Sequence, residues 1–480
     1  MTTDHDALAG IEAAWAAERA GYERDLDTHF ARYVAELEEL CALPSLSSDE
    51  SALWACGEFL ERKLAALGFQ THLPAVEGAS GPPVLIARRH YDPALPTLLI
   101  YGHFDVQPVD PVELWTDAPF TPTARDGYLY GRGTADDKGQ FFAHLKAVEM
   151  LDRLGVGPLA NLTLVLDSQE EVGSPHLAAF VERHRDLLAA DCVFYADGEA
   201  FAGNRVMVQH GNRGDCFLIV RHRAASRDTH SGIFGGVVPN AANELALLLA
   251  SLVDRDGTIL IEGFYDDVVP PTAADREAMA RLPHDQADFE AGLGLAGPFG
   301  PPGLDHWEKV MFRPTLNVSG ITAGYQGPGT KTVIPCEATA RIDMRLVKNQ
   351  TPDDIERKFK AHAATQGFPD LEIERGMRYL PARTAVDHPF CRLAQRALGL
   401  AFDQEPVITP VIGGSNPNHI WMEQLGLPMA EVAYAQHDCR MHAPDERYDL
   451  DHFRRGILTS AFVITGTARL GRLAAAGEAR

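Results

Sequence analysis

The stretch "NLTLVLDSQEEVGSP" (161–175) sets two glutamates, Glu170 and Glu171, side by side just after a run of mostly apolar residues, "NLTLVLD". A short apolar run of this kind reads as a strand buried in a sheet. Successive residues on a strand point to opposite faces, and adjacent carboxylates repel. The pair therefore predicts that the strand has ended by Gln169, with both acidic side chains turned into one site.

The runs on either side give the fold class. "TLLIYG" (97–102) and "DCVFYAD" (191–197) are further strand candidates, and "LPMAEVAYA" (427–435) is another near the end. "QFFAHLKAVEMLDRLG" (140–155) puts Phe141, Leu145, Val148 and Leu151 on one helical face, with Gly155 as the expected cap. The first ~70 residues read as helices, in "LDTHFARYVAELEELCAL" and "ESALWACGEFLERKLAALG". Alternation of this type predicts an α/β fold: a mostly parallel sheet flanked by helices.

The middle of the chain follows another pattern. "EATARIDMRL" (337–346) alternates, with Ala338, Ala340, Ile342 and Met344 on one face and Thr339, Arg341, Asp343 and Arg345 on the other. That is a half-exposed antiparallel strand. "DCFLIVRHRA" (215–224) reads as a strand, "NAANELALLLASLVD" (240–254) as a helix, and "TPDDIERKFKAHAATQG" (351–367) as a helix started by Thr351 and Pro352. "DLEIERG" follows as a strand, and "GLGLAGPFGPPGLD" (292–305) as an irregular loop. We expect residues 1–210 and 386–480 to form one discontinuous domain and 211–385 an inserted α+β domain.

At 480 residues the chain is too long for one simple core. A formal net charge of −24 disfavours nucleic acid and anionic membranes as partners. Seven cysteines (Cys41, Cys56, Cys192, Cys216, Cys336, Cys391, Cys439) show no CxxC pair, which argues against a thiolate zinc site or a disulfide framework. The acidic N-terminus lacks signal-peptide features, and no apolar run approaches the ~18 residues of a membrane span. The expectation is a cytoplasmic protein.

Five loops after apolar runs are rich in metal-ligand side chains. "YGHFDVQP" gives His103 and Asp105, and "GRGTADDKG" gives Asp136 and Asp137. "SQEEVGSP" gives the glutamate pair, "YADGE" gives Asp197, and "QHDCRMHAPDE" gives His437 and His442. In open α/β sheets ligands bind beyond the carboxyl ends of the strands, so such loops can converge. Imidazoles and carboxylates without thiolates suit zinc, with manganese or cobalt as alternatives. Two metals sharing a bridging carboxylate need about five protein ligands and a base. Two histidines and three carboxylates supply the ligands and leave one carboxylate over. Of two adjacent glutamates, one can bind a metal while the other accepts a proton.

At these residues the sequence resembles the M20 family of dinuclear zinc metallopeptidases, in its carnosinase-like dipeptidase branch. The motifs are "GHFDVQP", "GRGTADDKG", "EEVGSP", "YADGE", "DTHSGIFGG" (228–236), "KTVIP" (331–335), "GGSNP" (413–417) and "HAPDE" (442–446), in order from about residue 35 to 470. "EGFYDDVVPP" (262–271) and "RPTLNVSGI" (313–321) are similar to that branch too.

The resemblance implies that His103 and Asp197 bind one metal, Glu171 and His442 the other, and that Asp136 bridges them. It implies Glu170 as the general base, Asp105 as the residue orienting His103, and a cis bond between Asp136 and Asp137. The inserted domain would serve as lid and dimerisation domain. His230 would act across a homodimer interface, and Arg345, Thr332, Gly414 and Ser415 would contact the substrate. The implied reaction is hydrolysis of the amide bond of a dipeptide, or of a C-terminal amino acid, with a free carboxylate. An N-acyl-amino-acid deacylase on the same scaffold is the alternative, and a non-catalytic binding member a further rival. Val411 and Ile412 before the Gly-Gly-Ser turn, and His419 after it, depart from the dipeptidase pattern; His437 matches no role.

Overall fold

The apolar run that opened the reading is a strand, Asn161–Asp167, and every residue of it is buried. In the computed structural model, which describes residues 4–78 and 80–471, it lies inside an eight-stranded sheet. The strand order is Gln70–His72, Leu85–Arg89, Asn161–Asp167, Thr97–His103, Cys192–Ala196, Met429–Val432, Met207–Gln209, Val407–Thr409. The central strands Asn161–Asp167, Thr97–His103, Cys192–Ala196 and Met429–Val432 run parallel. Leu85–Arg89 and Met207–Gln209 pair antiparallel to their inner neighbours. Parallel strands are covered on both faces, which is why they read as continuous apolar runs rather than alternating ones. On one face Leu98, Ile100 and Phe194 join the core around Phe141 and Phe462. On the other, Tyr101 packs its ring against Tyr195 and Trp421, at 4.8 and 4.9 Å between centroids.

The helix expected over 140–155 is Lys138–Leu154, closed by Gly155 in the left-handed conformation that glycine adopts without penalty. The helical reading of the N-terminus extends further than its two clearest segments: one helix runs Asp4–Cys41, followed by Glu50–Ala66. The long helix packs on the last one, Leu450–Leu470. Trp15 is fully buried, packs its ring tilted against Phe462 at 5.4 Å between centroids, and donates its indole N–H to Thr465 Oγ1 at 3.1 Å. Gly466 permits this approach, since a Cβ there would lie 2.3 Å from the Trp15 ring.

The chain divides into two compact units. The first comprises Met1–His210, Thr384–Thr409 and Ile420–Arg480, and the second Gly211–Arg383 and Pro410–His419. The difference from the expected boundaries is the segment Pro410–His419, which goes with the second unit. Main-chain bonds explain it: Ile412 N donates to Gly211 O at 2.8 Å, and Arg213 N donates to Gly414 O at 3.1 Å.

The second unit is built on an antiparallel sheet in the order Thr315–Ala323, Glu337–Leu346, Gly214–Arg223, Glu372–Tyr379. Ala338, Ala340, Ile342 and Met344 are buried in a core with Leu245 and Leu248 of helix Ala241–Ala250 and Ile355 and Phe359 of helix Pro352–Thr365. The alternate residues Asp343 and Arg345 lie on the opposite face. The stretch 292–305 is irregular after helix Gln286–Leu293 ends.

The Trp15 contact gives a stability prediction. Trp15→Ala should lower the unfolding free energy by ~3–5 kcal/mol, and Gly466→Ala by ~1–3 kcal/mol, measured by chemical denaturation. Unchanged midpoints in both variants would contradict the packing described.

Candidate metal centre

The parallel pairing of three central strands sets the first coordinates of the site. His103 is the last residue of its strand and lies in register beside Asp167, the last residue of the neighbouring strand. Asp197 immediately follows the strand on the other side, Cys192–Ala196. Past Asp167 the chain leaves the sheet. Asp167 caps the turn, accepting N–H bonds from Ser168 at 2.7 Å and Gln169 at 3.1 Å, and Glu170–Val172 form a single 3-10 turn. The adjacent glutamates are thus off the strand, as their repulsion required. Their amides are gripped together by one carboxylate: Asp105 Oδ1 accepts from Glu170 N and Oδ2 from Glu171 N, both at 3.1 Å.

Asp136 and His442 come from loops. The Asp136–Asp137 peptide is cis. Glu446, fully buried, fixes the loop that carries Asp136: its carboxylate accepts from Ala135 N (2.8 Å), Asp136 N (3.1 Å), Gly133 N (3.0 Å) and Arg132 Nη1 (2.8 Å). His442 stands four residues before Glu446 with φ of 58°, in a loop where Arg440 and Asp445 are also left-handed. Asp445 ties that loop down by accepting from Thr116 N and Oγ1 at 2.7 and 2.9 Å.

Two donor groups result, each with ligand atoms within 4.8 Å of one another: His103, Asp136 and Asp197; and Asp136, Glu171 and His442. Asp136 turns one oxygen to each group, Oδ1 lying 3.1 Å from His103 Nε2 and Oδ2 2.9 Å from His442 Nε2. His103 Nε2 is 3.7 Å from Asp197 Oδ2, and His442 Nε2 is 3.3 Å from Glu171 Oε2. Glu171 also accepts from Gln107 N and Nε2, at 3.1 and 2.8 Å. Glu170 belongs to neither group and makes no ion pair among the described residues. Asp105, expected to orient His103, meets its Nδ1 chiefly through the main-chain oxygen at 3.2 Å, with Oδ1 at 3.4 Å. Its carboxylate is occupied by the two glutamate amides and by Ser47 Oγ.

The electrostatics follow from crowding. Burial pushes the Glu170 carboxyl well above its ordinary range; His103 opposes this, and Asp197, Asp136 and Asp105 add to it. Asp197 is pushed up to about 6 by burial and by Asp136. Burial alone would lower the His103 imidazole, but hydrogen bonds to Asp105 and Asp136 raise it well above its usual value. His442 is raised to about 10 by its hydrogen bonds to Asp136 and Glu171. Among the described residues, the charged partners of Asp136, Asp197 and Glu171 are these histidines, with no lysine or arginine. Imidazole and carboxylate donors, surplus negative charge and one carboxylate shared between two groups together fit a pair of divalent cations.

A family model described as peptidase family M20/M25/M40 matches residues 99–465. The chain belongs to that family. It is an M20-type metallopeptidase. A Cys-Gly metallodipeptidase of Schizosaccharomyces pombe is 28% identical over 457 residues, covering 90% of this chain and 94% of the relative. The Beta-Ala-His dipeptidase of Mus musculus is 29% identical over 406 residues, covering 79% and 82%. Among solved structures, an M20 family metallo-carboxypeptidase from Sulfolobus solfataricus superposes with a TM-score of 0.78 at 29% identity, over 91% of this chain and 99% of the other. Human carnosine dipeptidase 1 gives 0.71 at 25% identity, over 94% and 99%.

The remaining residues singled out in the sequence, His437 excepted, lie in the second unit of this M20 peptidase. Arg345 Nη1 donates to Ser415 Oγ at 3.0 Å, and its guanidinium contacts Asp215 Oδ2 at 3.2 Å and Asp343 Oδ1 at 3.1 Å. Gly414 is exposed beside Ser415. His230 and Thr332 are both exposed, with Thr332 Oγ1 3.3 Å from His230 Nε2. His230 Nδ1 accepts from Gly232 N at 3.0 Å, so the ring proton sits on Nε2. His437 is exposed, 3.4 Å from Glu199, and outside both donor groups. His419 lies at 6.0 Å, ring to ring, from Tyr379. Sequence reasoning missed Glu446, Gln107 and Asp215. Glu446 was visible only as the last letter of "HAPDE", four residues beyond a ligand candidate.

Glu446 gives the test. Glu446→Gln turns an amide N–H₂ toward main-chain N–H donors and should loosen Asp136. Metal content per chain and peptidase activity should fall ~10–100-fold in affinity and rate, by elemental analysis and assay. Full metal content with full activity would remove Glu446 from the site.

Proposed function

We propose that this M20 peptidase is a dinuclear metallodipeptidase. It hydrolyses the amide bond of a dipeptide, or of the C-terminal residue of a short peptide, bearing a free carboxylate. The observation that carries the reading is Asp136, whose two oxygens face two separate histidine–carboxylate groups. His103 and Asp197 would hold one cation, Glu171 and His442 the other, and Asp136 both, with zinc the best match and manganese or cobalt alternatives. When bound, the cations supply Lewis-acid chemistry, acidifying a water and polarising a carbonyl oxygen.

The chain's own residues do the rest. Glu170, outside both donor groups, takes the proton from the attacking water and delivers it to the leaving amine nitrogen. Asp105 holds Glu170 and Glu171 by their amides, so the proton carrier and its neighbouring ligand keep a fixed spacing. Arg345 receives the substrate's free carboxylate with Ser415 and the Gly414 main chain beside it, and its guanidinium is held in place by Asp215 and Asp343. Thr332 adds a hydroxyl next to His230. With its proton on Nε2, His230 donates a hydrogen bond to the carbonyl oxygen that becomes negative, acting across the interface of a homodimer.

Relatives named for Cys-Gly and Beta-Ala-His support a dipeptide as the substrate class. Seven free cysteines, six of them buried, support a reducing, cytoplasmic setting. Among the described residues no helix is long and apolar enough to cross a membrane.

Three measurements test this. Glu170→Ala should keep about two metals per chain while activity falls ~10²-fold or more; loss of metal with surviving activity would refute the base. A panel of dipeptides against N-acetyl amino acids should show turnover of the dipeptides, and activity confined to the acyl compounds would make the protein a deacylase. Mixing His230→Ala with Glu170→Ala chains should restore part of the activity in heterodimers. Full activity of His230→Ala alone would end the shared-site assignment.

A further inference from the structure

Arg345 opens onto a cavity of about 670 Å³ that lies wholly in the second unit. Its floor is Arg345, Asp343 and the Gly413–Gly414 turn. Arg345 and Asp343 belong to the sheet face opposite the helix-packed one, where Asp215 sits in register across from Arg345. Its wall is Phe289, Leu295 and Phe299. The volume is that of a small-molecule site.

The wall is apolar and exposed. Phe299 is 69% exposed, Leu295 42% and Phe289 40%. The Phe299 ring lies over Gly257, where a Cβ would come within 3.1 Å of it, and Lys309 Nζ donates to Phe299 O at 3.1 Å. Phe289 meets the edge of His306 at 4.9 Å, and His306 is stacked on His284 at 3.8 Å. The charges lining the cavity complement an anion with an apolar body: Arg213, Lys309, Arg313 and Arg345 against Asp256 and Asp343.

We propose that this cavity is the subsite for the side chain of the substrate's C-terminal residue, and that Phe289, Leu295 and Phe299 select large apolar, above all aromatic, side chains there. The inference rests on the reading that Arg345 takes the adjoining carboxylate. Arg345 and the apolar wall line the same cavity, so a C-terminal phenylalanine held at Arg345 has apolar surface to bury its ring against, whereas glycine leaves the wall in water.

The test combines kinetics on Gly-Gly, Gly-Leu, Gly-Phe and Gly-Asp with calorimetric binding of free L-phenylalanine and glycine. Gly-Phe should exceed Gly-Gly in kcat/KM by ~10-fold or more, mostly through KM. L-phenylalanine should bind more tightly than glycine. In Phe289→Ala/Phe299→Ala, and separately in Leu295→Asp, both ratios should collapse toward one. Equal kcat/KM for Gly-Phe and Gly-Gly, a preference for Gly-Asp over Gly-Phe, or a ratio untouched in both variants would overturn the subsite. The two readings fail separately. Peptide hydrolysis indifferent to the C-terminal side chain removes the subsite alone. Binding of L-phenylalanine through these residues, without hydrolysis of any peptide, removes the hydrolase reading and keeps the subsite.

Discussion

The constraint on which the first unit depends is the mutual repulsion of Asp136, Glu170, Glu171 and Asp197. Four carboxylates drawn together resist folding unless something holds them, and among the described residues no lysine or arginine does. They are held mainly through the backbone that carries them. Asp105 grips the amides of both glutamates, Glu446 grips the Asp136 loop by three N–H groups, and Gly198 N bonds Asp197. This arrangement leaves the carboxylate oxygens to face one another and the two histidines. It stores an appetite for cations in the folded chain, because among the described residues only the two histidines, and no lysine or arginine, meet these carboxylates.

Much of this was legible in the sequence. The runs 97–102, 161–167 and 191–197 read as strands because parallel strands bury both faces. The alternation over 337–346 read as a two-faced strand and assigned Asp343 and Arg345 to one side. The donors could be found because each follows a strand or sits in a loop of unusual composition. What could not be read were the supports. Glu446 looks like any acid in a polar loop until its oxygens are seen on the Asp136 loop, and Asp215 lies in a strand whose charge has no local explanation. The segment 410–419 continues the chain of the first unit, yet its main-chain bonds go to residues 211–213. Such relations join residues 100 or more positions apart, and no local pattern encodes them.

The second unit repeats the same division of labour on a sheet. One face of strand Glu337–Leu346 supplies the core, and the other holds Arg345 between Asp215 and Asp343. An arginine flanked by two acids keeps its fork in one orientation. The strand's alternation thus serves both stability and recognition, so substitutions at odd and even positions should be felt in different properties.

The place of strand Met429–Val432 has a consequence for how the chain is made. It lies between Cys192–Ala196 and Met207–Gln209, near the middle of the sheet, although more than two hundred residues separate it from them. As the polypeptide emerges from the ribosome, the edge of Cys192–Ala196 stays open until Met429–Val432 has been synthesised. The second unit can close on its own meanwhile, since residues 211–383 carry its sheet and core. Assembly order therefore runs against sequence order: the inserted unit can finish first, and the unit that begins and ends the chain finishes last. The exposed apolar edge left waiting in that interval is the point at which a nascent chain of this architecture is most open to aggregation.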